Sequence, residues 1–470
     1  MVRERIVAMT VGTDDSSGAH AIKSGRTTGH SELGLRLARA SVLSFFIYVG
    51  GAGLTGLAQL AIARAIGPSS YGIYSYVLDW TTFLSYGATL GFQTVLLRFV
   101  PAYSATGEWR LAHGVLRFAF TRALLLALAI AASGVIIVLC MARSLDPELA
   151  ISMCAGLAAV PLTTSYLLGS AAVRSFGGVA SAVAPERLGR DGLMIVLVVL
   201  AWLLLTGSID AATVMVALFL SSAATASITW FNLRRLRPLA ITTAAPSYDA
   251  PRWWHLALPV MIMIAVEVPM NRAGVIIFGW MGHAKDAGIF ALGLNLALFL
   301  ILPRVAVGTF FAPNVSKLHA QRDQTALQGL FARATLLSLA GTLTLSIPLL
   351  GLTIPILRLF GEEFVATAPI IQILVVGQIF GAASGPQLNL MTMTGHERAA
   401  AIIMLSGAAM NIASCAIGIV FFGVFGAAVA TAATNVIWNV AMAASIYRRL
   451  DVVPGLLYAI VELRGRSNRV

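Results

Sequence analysis

Long apolar runs divide this chain into about twelve segments, and each could cross the roughly 30 Å hydrocarbon core of a bilayer as a helix. Hydrophobic residues make up 58% of the chain and charged residues only 11%, against roughly half and a quarter in soluble domains. The excess apolar surface must therefore face lipid. The predicted spans are residues 40–64, 71–97, 114–140, 148–173, 188–207, 211–233, 254–281, 287–312, 329–352, 364–392, 399–421 and 424–447.

The basic residues alternate from one predicted loop to the next. Most of the 32 Lys and Arg residues lie in the two tails and in the loops that follow even-numbered spans. The intervening loops carry only Arg64, Arg143, Lys285 and Arg358, and Arg272 lies inside a span. Because cytoplasmic loops of membrane proteins are enriched in Lys and Arg, this alternation predicts a multi-pass protein with both termini in the cytoplasm.

The same pattern excludes several classes of function. The net charge of +12 follows from the cytoplasmic loops and indicates anionic membrane lipids rather than nucleic acid as a partner. No nucleotide-binding or hydrolase motif occurs, and the 7 histidines lie in tails, loops or span ends. The 3 cysteines have no CxxC spacing, which argues against a metal site. The sequence therefore predicts neither an enzyme nor a bound cofactor.

A weak internal repeat divides the chain into two similar halves. The segment GPSSYGIY (67–74) is echoed by GHAKDAGIF (282–290), and two further matches follow in the same order at nearly the same offset. Two lobes with six spans each must point the same way, which implies a pseudo-two-fold axis along the membrane normal and a substrate path between the lobes.

The predicted fold is thus an all-α integral membrane protein with about twelve transmembrane helices in two six-helix lobes. The linker between the lobes holds three prolines and is the only long polar stretch inside the chain. The predicted domains are a disordered cytoplasmic tail (1–33), an N-terminal lobe (34–235), a cytoplasmic linker (236–252), a C-terminal lobe (253–450) and a cytoplasmic tail (451–470).

Ionisable residues inside the spans are the candidates for a functional site, because each costs about 2.5–3.5 kcal/mol to insert near the bilayer centre. Glu267 and Asn271 share one face of the seventh span, and Arg272 follows them. Asp79 of the second span aligns under the repeat with Asn295 of the eighth. Three roles stay open for Asp79: an ion pair with Arg272 across the lobes, a proton-binding site that couples transport, or local hydrogen bonding.

Arginines and amides elsewhere in the spans each have two interpretations. Arg64 and Arg304 either snorkel to the interface or bind an anionic head group, since a planar guanidinium suits diphosphate oxygens. The amides either line a sugar-sized polar cavity or hydrogen-bond neighbouring helices. They are Gln59, Gln93, Gln372, Gln378, Asn389, Asn411, Asn435 and Asn439.

Short segments in a fixed order carry a family resemblance. They are residues 62–99, AGIF (287–290), PNVS (313–316), ILRLFGEEF (356–364), TGHER (394–398) and FGAAVA (425–430). In this order and spacing they resemble the bacterial polysaccharide transporters of the O-antigen and exopolysaccharide flippase type. That family belongs to the multidrug/oligosaccharidyl-lipid/polysaccharide exporter superfamily. The resemblance extends from about residue 34 to residue 450.

The resemblance implies a flippase of the bacterial inner membrane that carries polyprenyl-diphosphate-linked oligosaccharide repeat units outward by alternating access, for lipopolysaccharide or exopolysaccharide synthesis. Its partners would be this lipid-linked substrate and membrane lipids, with polysaccharide polymerase and chain-length proteins as further candidates. The head group would enter a cavity for which the candidate lining residues are Arg272, Glu267, Asn271, Asp79, Asn295, Arg64 and Arg304.

The chain departs from this family at one position. The acidic residue that the family often carries in its seventh helix is replaced by Asn271, and Glu267 is the candidate substitute. Two other functions compete with the flippase. A cation-coupled small-molecule or multidrug antiporter predicts a cavity dominated by acidic residues, and a non-transporting scaffold of a polysaccharide synthesis complex predicts that substitutions at Asp79, Glu267 and Arg272 are silent.

Overall fold

The computed structural model of the protein describes residues 18–205, 209–453, 455–456 and 458, and within these ranges the chain is helical without a strand. The N-terminal half of the chain forms eight helices, with a π-helical turn at Pro185–Gly189 between the fifth and the sixth. They are α1 (Gly18–Ala88), α2 (Phe92–Thr106), α3 (Trp109–Met141), α4 (Pro147–Ser175), α5 (Val179–Ala184), α6 (Arg190–Leu204), α7 (Ala211–Leu236) and α8 (Leu239–Thr243).

The C-terminal half also forms eight helices, with 3-10 turns at Phe299–Ile301 and Glu362–Thr367. They are α9 (Ala250–Trp280), α10 (Ala284–Leu298), α11 (Leu302–Ala320), α12 (Gln324–Gly351), α13 (Thr353–Phe360), α14 (Ala368–Ser384), α15 (Gln387–Met393) and α16 (Glu397–Leu450).

Helix α1 consists of two arms separated by a sharp break at Gly67. Gly67 has a φ of 71°, a conformation that residues with a Cβ rarely adopt, and Pro68 has no N–H with which to continue the helix. Across the break, the Tyr71 hydroxyl donates a hydrogen bond to Gln59 Oε1 at 2.7 Å. The second arm (68–88) therefore folds back along the first arm (18–66).

Helix α16 is broken in the same way at Gly423, where φ is 58°. Side chains on the two sides of the break meet, since Ser414 and Thr434 share a hydrogen bond of 3.4 Å. At about 1.5 Å per residue, the 54 residues of α16 would extend far beyond a bilayer if they were straight. The break turns them into a helical hairpin.

Seven helices of the described residues are long and apolar enough to cross a membrane, or eight when a bent pair within α9 is counted as one span. The predicted count of twelve spans is therefore not established by length and composition. The predicted spans nevertheless fall on helices wherever the structure describes them, apart from short turns such as the one at 89–91.

The chain termini differ in part from the predicted tails. Residues 1–17 lie outside the described residues, and α1 begins at Gly18, so that residues 18–33 are helical where a disordered tail was predicted. Extending an existing helix avoids the cost of nucleating a new one, which explains how a polar segment can continue an apolar helix. At the other end, Gln328 hydrogen-bonds both the N–H and the carbonyl of Val453, at 2.8 and 3.0 Å.

The two halves of the chain meet where the second arm of α1 crosses α10 and packs beside α9. The largest hydrophobic cluster spans this boundary and includes the fully buried Tyr71, Phe278 and Phe290. The predicted linker packs against the start of α3, where Ser247 N–H donates to the Arg110 carbonyl at 2.9 Å. The polar groups described below lie between these apolar clusters.

Candidate functional site

A chain of polar side chains joins the two halves at the crossing of α1, α9 and α10. Arg272 Nε lies 3.6 Å from Asp79 Oδ1, and its Nη1 donates to Asn295 Oδ1 at 2.7 Å. Asn295 Nδ2 donates in turn to the Tyr71 hydroxyl at 3.1 Å, and Tyr71 donates to Gln59. Of the three roles left open for Asp79, the structure shows the ion pair with Arg272.

This ion pair lies in protected surroundings. The side chain of Asp79 is 9% exposed and that of Arg272 is 24% exposed. Asp79 Oδ2 is buried and has no hydrogen-bond partner. An unsatisfied buried carboxylate oxygen is costly, so a rearrangement of the site that gave this atom a partner would be favourable.

A second charged cluster lies within the N-terminal half, beside the π-helical turn at Pro185–Gly189. Arg190 Nε and Nη2 both lie 2.8 Å from Asp191 Oδ1, and Nη1 donates to the Tyr166 hydroxyl at 3.1 Å. Thr55 of α1 donates to the other oxygen of Asp191, and Ser170 donates to Glu186 at 3.1 Å. Insertions of this kind in helices are frequent at functional sites.

These two clusters line one cavity of about 640 Å³, called here the arginine cavity. Its volume is typical of small-molecule sites, which measure roughly 300–1,000 Å³. Hydroxyl and amide groups, including those of Gln59, Gln93 and Asn295, contribute to its wall. The charged residues among its described lining are Asp79, Glu186, Arg187, Arg190 and Arg272.

A second cavity of about 570 Å³, called here the amide cavity, lies in the C-terminal half. The turn at Gly385–Pro386 separates α14 from α15 and places residues of both helices on its wall. Residues of α16 at helical spacing supply another wall. The amide cavity is defined by Arg304, Gln378, Gln387, Asn389, Asn435 and Asn439.

The two cavities adjoin each other. Ile264, Asn271 and Leu298 line both of them. Asn271 precedes Arg272 in α9, so the amide cavity begins one residue away from the ion pair that joins the two halves.

The structure brings most of the predicted site residues together. Arg272, Asn271, Asp79 and Asn295 line the arginine cavity, and Arg304 lines the amide cavity. Arg64 lies elsewhere: it is exposed and donates to the Leu359 carbonyl at 2.9 Å, and it is absent from the described lining of both cavities. The side chain of Glu267 lies outside the described residues.

Two arginines of the arginine cavity are missing from the sequence-based site. The fifth span was predicted to begin at residue 188, which assigned Arg187 to a loop and Arg190 to a span end. The helical segment begins at Val179 instead and carries both side chains to the cavity. The sequence signal that could have found them is the charged run ERLGRD (186–191) at the start of an apolar span.

The amides follow both of the interpretations left open. Gln378, Asn389, Asn435 and Asn439 line the amide cavity. Asn411 instead joins two helices, since its Nδ2 donates to the Met270 carbonyl at 2.9 Å. Among the described residues, no group of three or more His, Cys, Asp or Glu side chains could hold a metal ion.

Solved structures resemble this chain over nearly its whole length. An inward-facing multidrug resistance MATE family transporter of the MOP superfamily matches with a TM-score of 0.70 and 14% identity, covering 89% of this chain and 96% of that one. The lipid II flippase MurJ in an inward closed conformation matches with a TM-score of 0.65 and 16% identity, covering 90% of this chain and 91% of that one.

The chain has the multi-pass fold of the MOP superfamily transporters.

A third MOP superfamily transporter, from Pyrococcus furiosus, matches with a TM-score of 0.62 and 17% identity and covers 91% of this chain and 95% of that one. Reverse polarity of its binding pocket suggests a different function for that protein. No protein-family model and no curated protein matches the sequence. At these identities the likeness establishes the MOP fold, and the function must be argued from the cavities.

Proposed function

We propose that this protein is a flippase that moves polyprenyl-diphosphate-linked oligosaccharide repeat units across the bacterial inner membrane for surface polysaccharide synthesis. The observation that carries the proposal is the charge of the two adjoining cavities. Among their described lining residues, four arginines face two carboxylates, and a third carboxylate, Asp191, pairs with Arg190 beside the cavity. The arginines are Arg187, Arg190, Arg272 and Arg304, and the carboxylates are Asp79 and Glu186.

Guanidinium groups suit this substrate for a chemical reason. Their N–H donors form paired, charge-assisted hydrogen bonds with phosphate oxygens. The amide cavity beside them offers neutral donors and acceptors of the kind that sugar hydroxyls use. The polyprenyl chain would stay in the lipid while the diphosphate and sugars cross through the cavities.

The ion pair between Arg272 and Asp79 supplies a step for alternating access. It joins α9 of the C-terminal half to α1 of the N-terminal half at 3.6 Å. A diphosphate that enters the arginine cavity competes with Asp79 for the Arg272 guanidinium. Exchange of the carboxylate for the diphosphate would release one contact between the halves and couple substrate binding to their movement.

A cation-coupled small-molecule antiporter is the second candidate function, and one observation favours it. Asp79 Oδ2 is buried without a hydrogen-bond partner, which is the environment of a group that exchanges a cation or proton. In an antiporter of this kind the carboxylate would be essential. The arginines would be dispensable.

Complementation of a surface-polysaccharide flippase deletion tests the proposal. The strains would carry the wild type, Arg272→Gln, Asp79→Asn, and Arg398→Gln as a control at an exposed position. Surface polymer, lipid-linked repeat units retained in the inner leaflet and resistance to exported drugs would be measured, together with protein level in the membrane.

The flippase predicts rescue by the wild type and by Arg398→Gln, and loss of polymer with retained lipid-linked units for Arg272→Gln. Loss of a drug-efflux phenotype in Asp79→Asn alone, without polysaccharide rescue by any form, would support the antiporter. Equal rescue by all variants would leave flipping intact and reject the arginine cavity as the path.

A further inference from the structure

The amide cavity carries a cation whose charge no described carboxylate balances. Arg304 Nη1 donates to the Gly381 carbonyl at 3.2 Å, and Arg304 forms no ion pair among the described residues. It is half-buried and is the one charged residue in the described lining of this cavity. A half-buried guanidinium is stabilised by an anionic hydrogen-bond acceptor, so an anionic group of a bound ligand would be favoured beside Arg304.

The same cavity carries a buried acceptor without a partner. Gln387 is 2% exposed, and its Oε1 has no hydrogen-bond partner. Nearly all buried polar atoms in proteins are hydrogen-bonded. A ligand hydroxyl that reaches Gln387 would satisfy this atom.

The wall formed by α16 is already ordered by hydrogen bonds. Asn435 Nδ2 donates to the Gly377 carbonyl at 3.1 Å, and its Oδ1 accepts from Trp438 Nε1 at 3.0 Å and from Asn439 Nδ2 at 2.8 Å. These bonds fix the orientation of three side chains that line the cavity. The Trp438 ring, whose orientation is fixed by its hydrogen bond to Asn435, adds an apolar surface against which the C–H face of a sugar ring can pack.

The features of the amide cavity match a hydroxyl-rich ligand with one negative charge. We propose that this cavity binds the sugars nearest the diphosphate and that Arg304 selects a repeat unit whose sugar carries a carboxylate, as in a hexuronic acid. The inference rests on the proposed flippase function and names its substrate class. Asn271, which lines both cavities, marks the place where diphosphate and sugar would join.

Binding to matched lipids tests this subsite. The full-length protein in nanodiscs would be titrated with polyprenyl diphosphate linked to glucose and with polyprenyl diphosphate linked to glucuronic acid, which differ at one carbon. A charged hydrogen-bonded pair predicts that the wild type binds the glucuronic acid lipid about tenfold to a hundredfold more tightly.

Variants separate this subsite from the diphosphate site. Arg304→Gln should abolish the preference, because the affinity for the glucuronic acid lipid should fall by more than the affinity for the glucose lipid. Gln387→Leu should weaken binding of both lipids by about fivefold through loss of one hydrogen bond. Arg398→Gln, at an exposed position, should retain the wild-type preference. Arg304→Lys retains the cation without the planar donor pair and should keep part of the preference, which provides a test if Arg304→Gln fails to fold.

Each outcome distinguishes the subsite from the flippase proposal. Equal affinity of the wild type for the two lipids would overturn the selection of an acidic sugar while leaving the flippase intact. An unchanged preference in Arg304→Gln would remove Arg304 from this role, and a complete loss of it in Arg304→Lys would show that the preference requires the planar guanidinium and not positive charge alone. Binding of neither lipid by the wild type would overturn the flippase, and the subsite would fall with it.

Discussion

Gly72 and Gly288 face each other where the second arm of α1 crosses α10: a Cβ atom built on Gly72 would lie 2.8 Å from the backbone nitrogen of Gly288. A Cβ on Gly288 would in turn lie 3.0 Å from the backbone nitrogen of Gly72. These are the glycines that the internal repeat aligns. The residue shared by the two copies therefore serves a crossing at which the copies meet, with backbones close enough to exclude a side chain.

We expect Gly72→Ala to destabilise the protein. The added methyl group would collide with the Ala284 carbonyl oxygen, which belongs to the backbone and cannot rotate away. Overpacking of this kind costs about 1–3 kcal/mol, measurable as a lower melting temperature of the detergent-purified protein. Gly53→Ala is the matched control, because Gly53 lies in a helix with no atom within 4 Å of its Cβ position. Equal melting temperatures of the two variants would contradict the close crossing.

A double-mutant cycle at the ion pair should reveal coupling between the two halves. Arg272→Gln and Asp79→Asn each leave a partly buried partner without its counter-charge, so the double variant should be less destabilised than the sum of the single variants. The expected coupling free energy is about 0.5–3 kcal/mol. Additive losses would show that the 3.6 Å contact contributes no stability.

The exposed pair formed by Arg358 and Glu362 provides the control for this cycle. Its side chains lie 3.4 Å apart but are 61% and 77% exposed. Water and ions screen such pairs, so the same cycle with Arg358→Gln and Glu362→Gln should give a coupling of about 0.5 kcal/mol or less. If the coupling free energy of this exposed pair were larger than that of Arg272 with Asp79, the buried pair would be rejected as an energetic link between the halves.

The sequence predicted the helices, and it gave one contact of the site as one of three open roles for Asp79, because both follow from local and repeated patterns. Apolar run length locates a helix in lipid, and the repeat places Asp79 and Asn295 at matching positions. In the structure both side chains contact Arg272. A charge inside an apolar span needs a polar partner, and few partners were available, so the pairing with Asp79 could be predicted.

The remaining site residues depend on tertiary geometry that the sequence pattern does not specify. The π-helical turn at Pro185–Gly189 joins α5 to α6 and brings Arg187 and Arg190 into the cavity, whereas a charged run at a span end ordinarily indicates a loop. Arg64 lies at a similar span end but contacts the Leu359 carbonyl. The contacts with neighbouring helices decide whether an arginine reaches a cavity. A hydropathy pattern contains no information about those contacts.

The hydroxyl of Thr55 should stabilise the charged cluster of the arginine cavity. Its acceptors are Asp191, which is 4% exposed and also holds Arg190, and the Gly51 carbonyl of its own helix at 2.9 Å. We expect Thr55→Val to lower the free energy of unfolding by about 1.5–3 kcal/mol, the range for a hydrogen bond to a charged group. Thr344→Val is the control, because Thr344 is exposed and its hydroxyl bonds only a carbonyl of its own helix, Ala340, at 2.9 Å. A similar loss of unfolding free energy in both variants would show that the effect comes from replacing threonine with valine and not from the hydrogen bond to Asp191.

Cysteine labelling in intact cells should establish the predicted orientation. In a variant without the native Cys140, Cys154 and Cys415, Ser144→Cys places a thiol in the exposed turn after α3, and Thr242→Cys places one in the exposed linker segment α8. The distribution of Lys and Arg assigns the first position to the outer face and the second to the cytoplasm. A membrane-impermeant maleimide that passes the outer membrane should therefore label Ser144→Cys in intact cells and Thr242→Cys only after the inner membrane is permeabilised. The reverse pattern would invert the topology and, with it, the direction in which the arginine cavity could deliver a substrate.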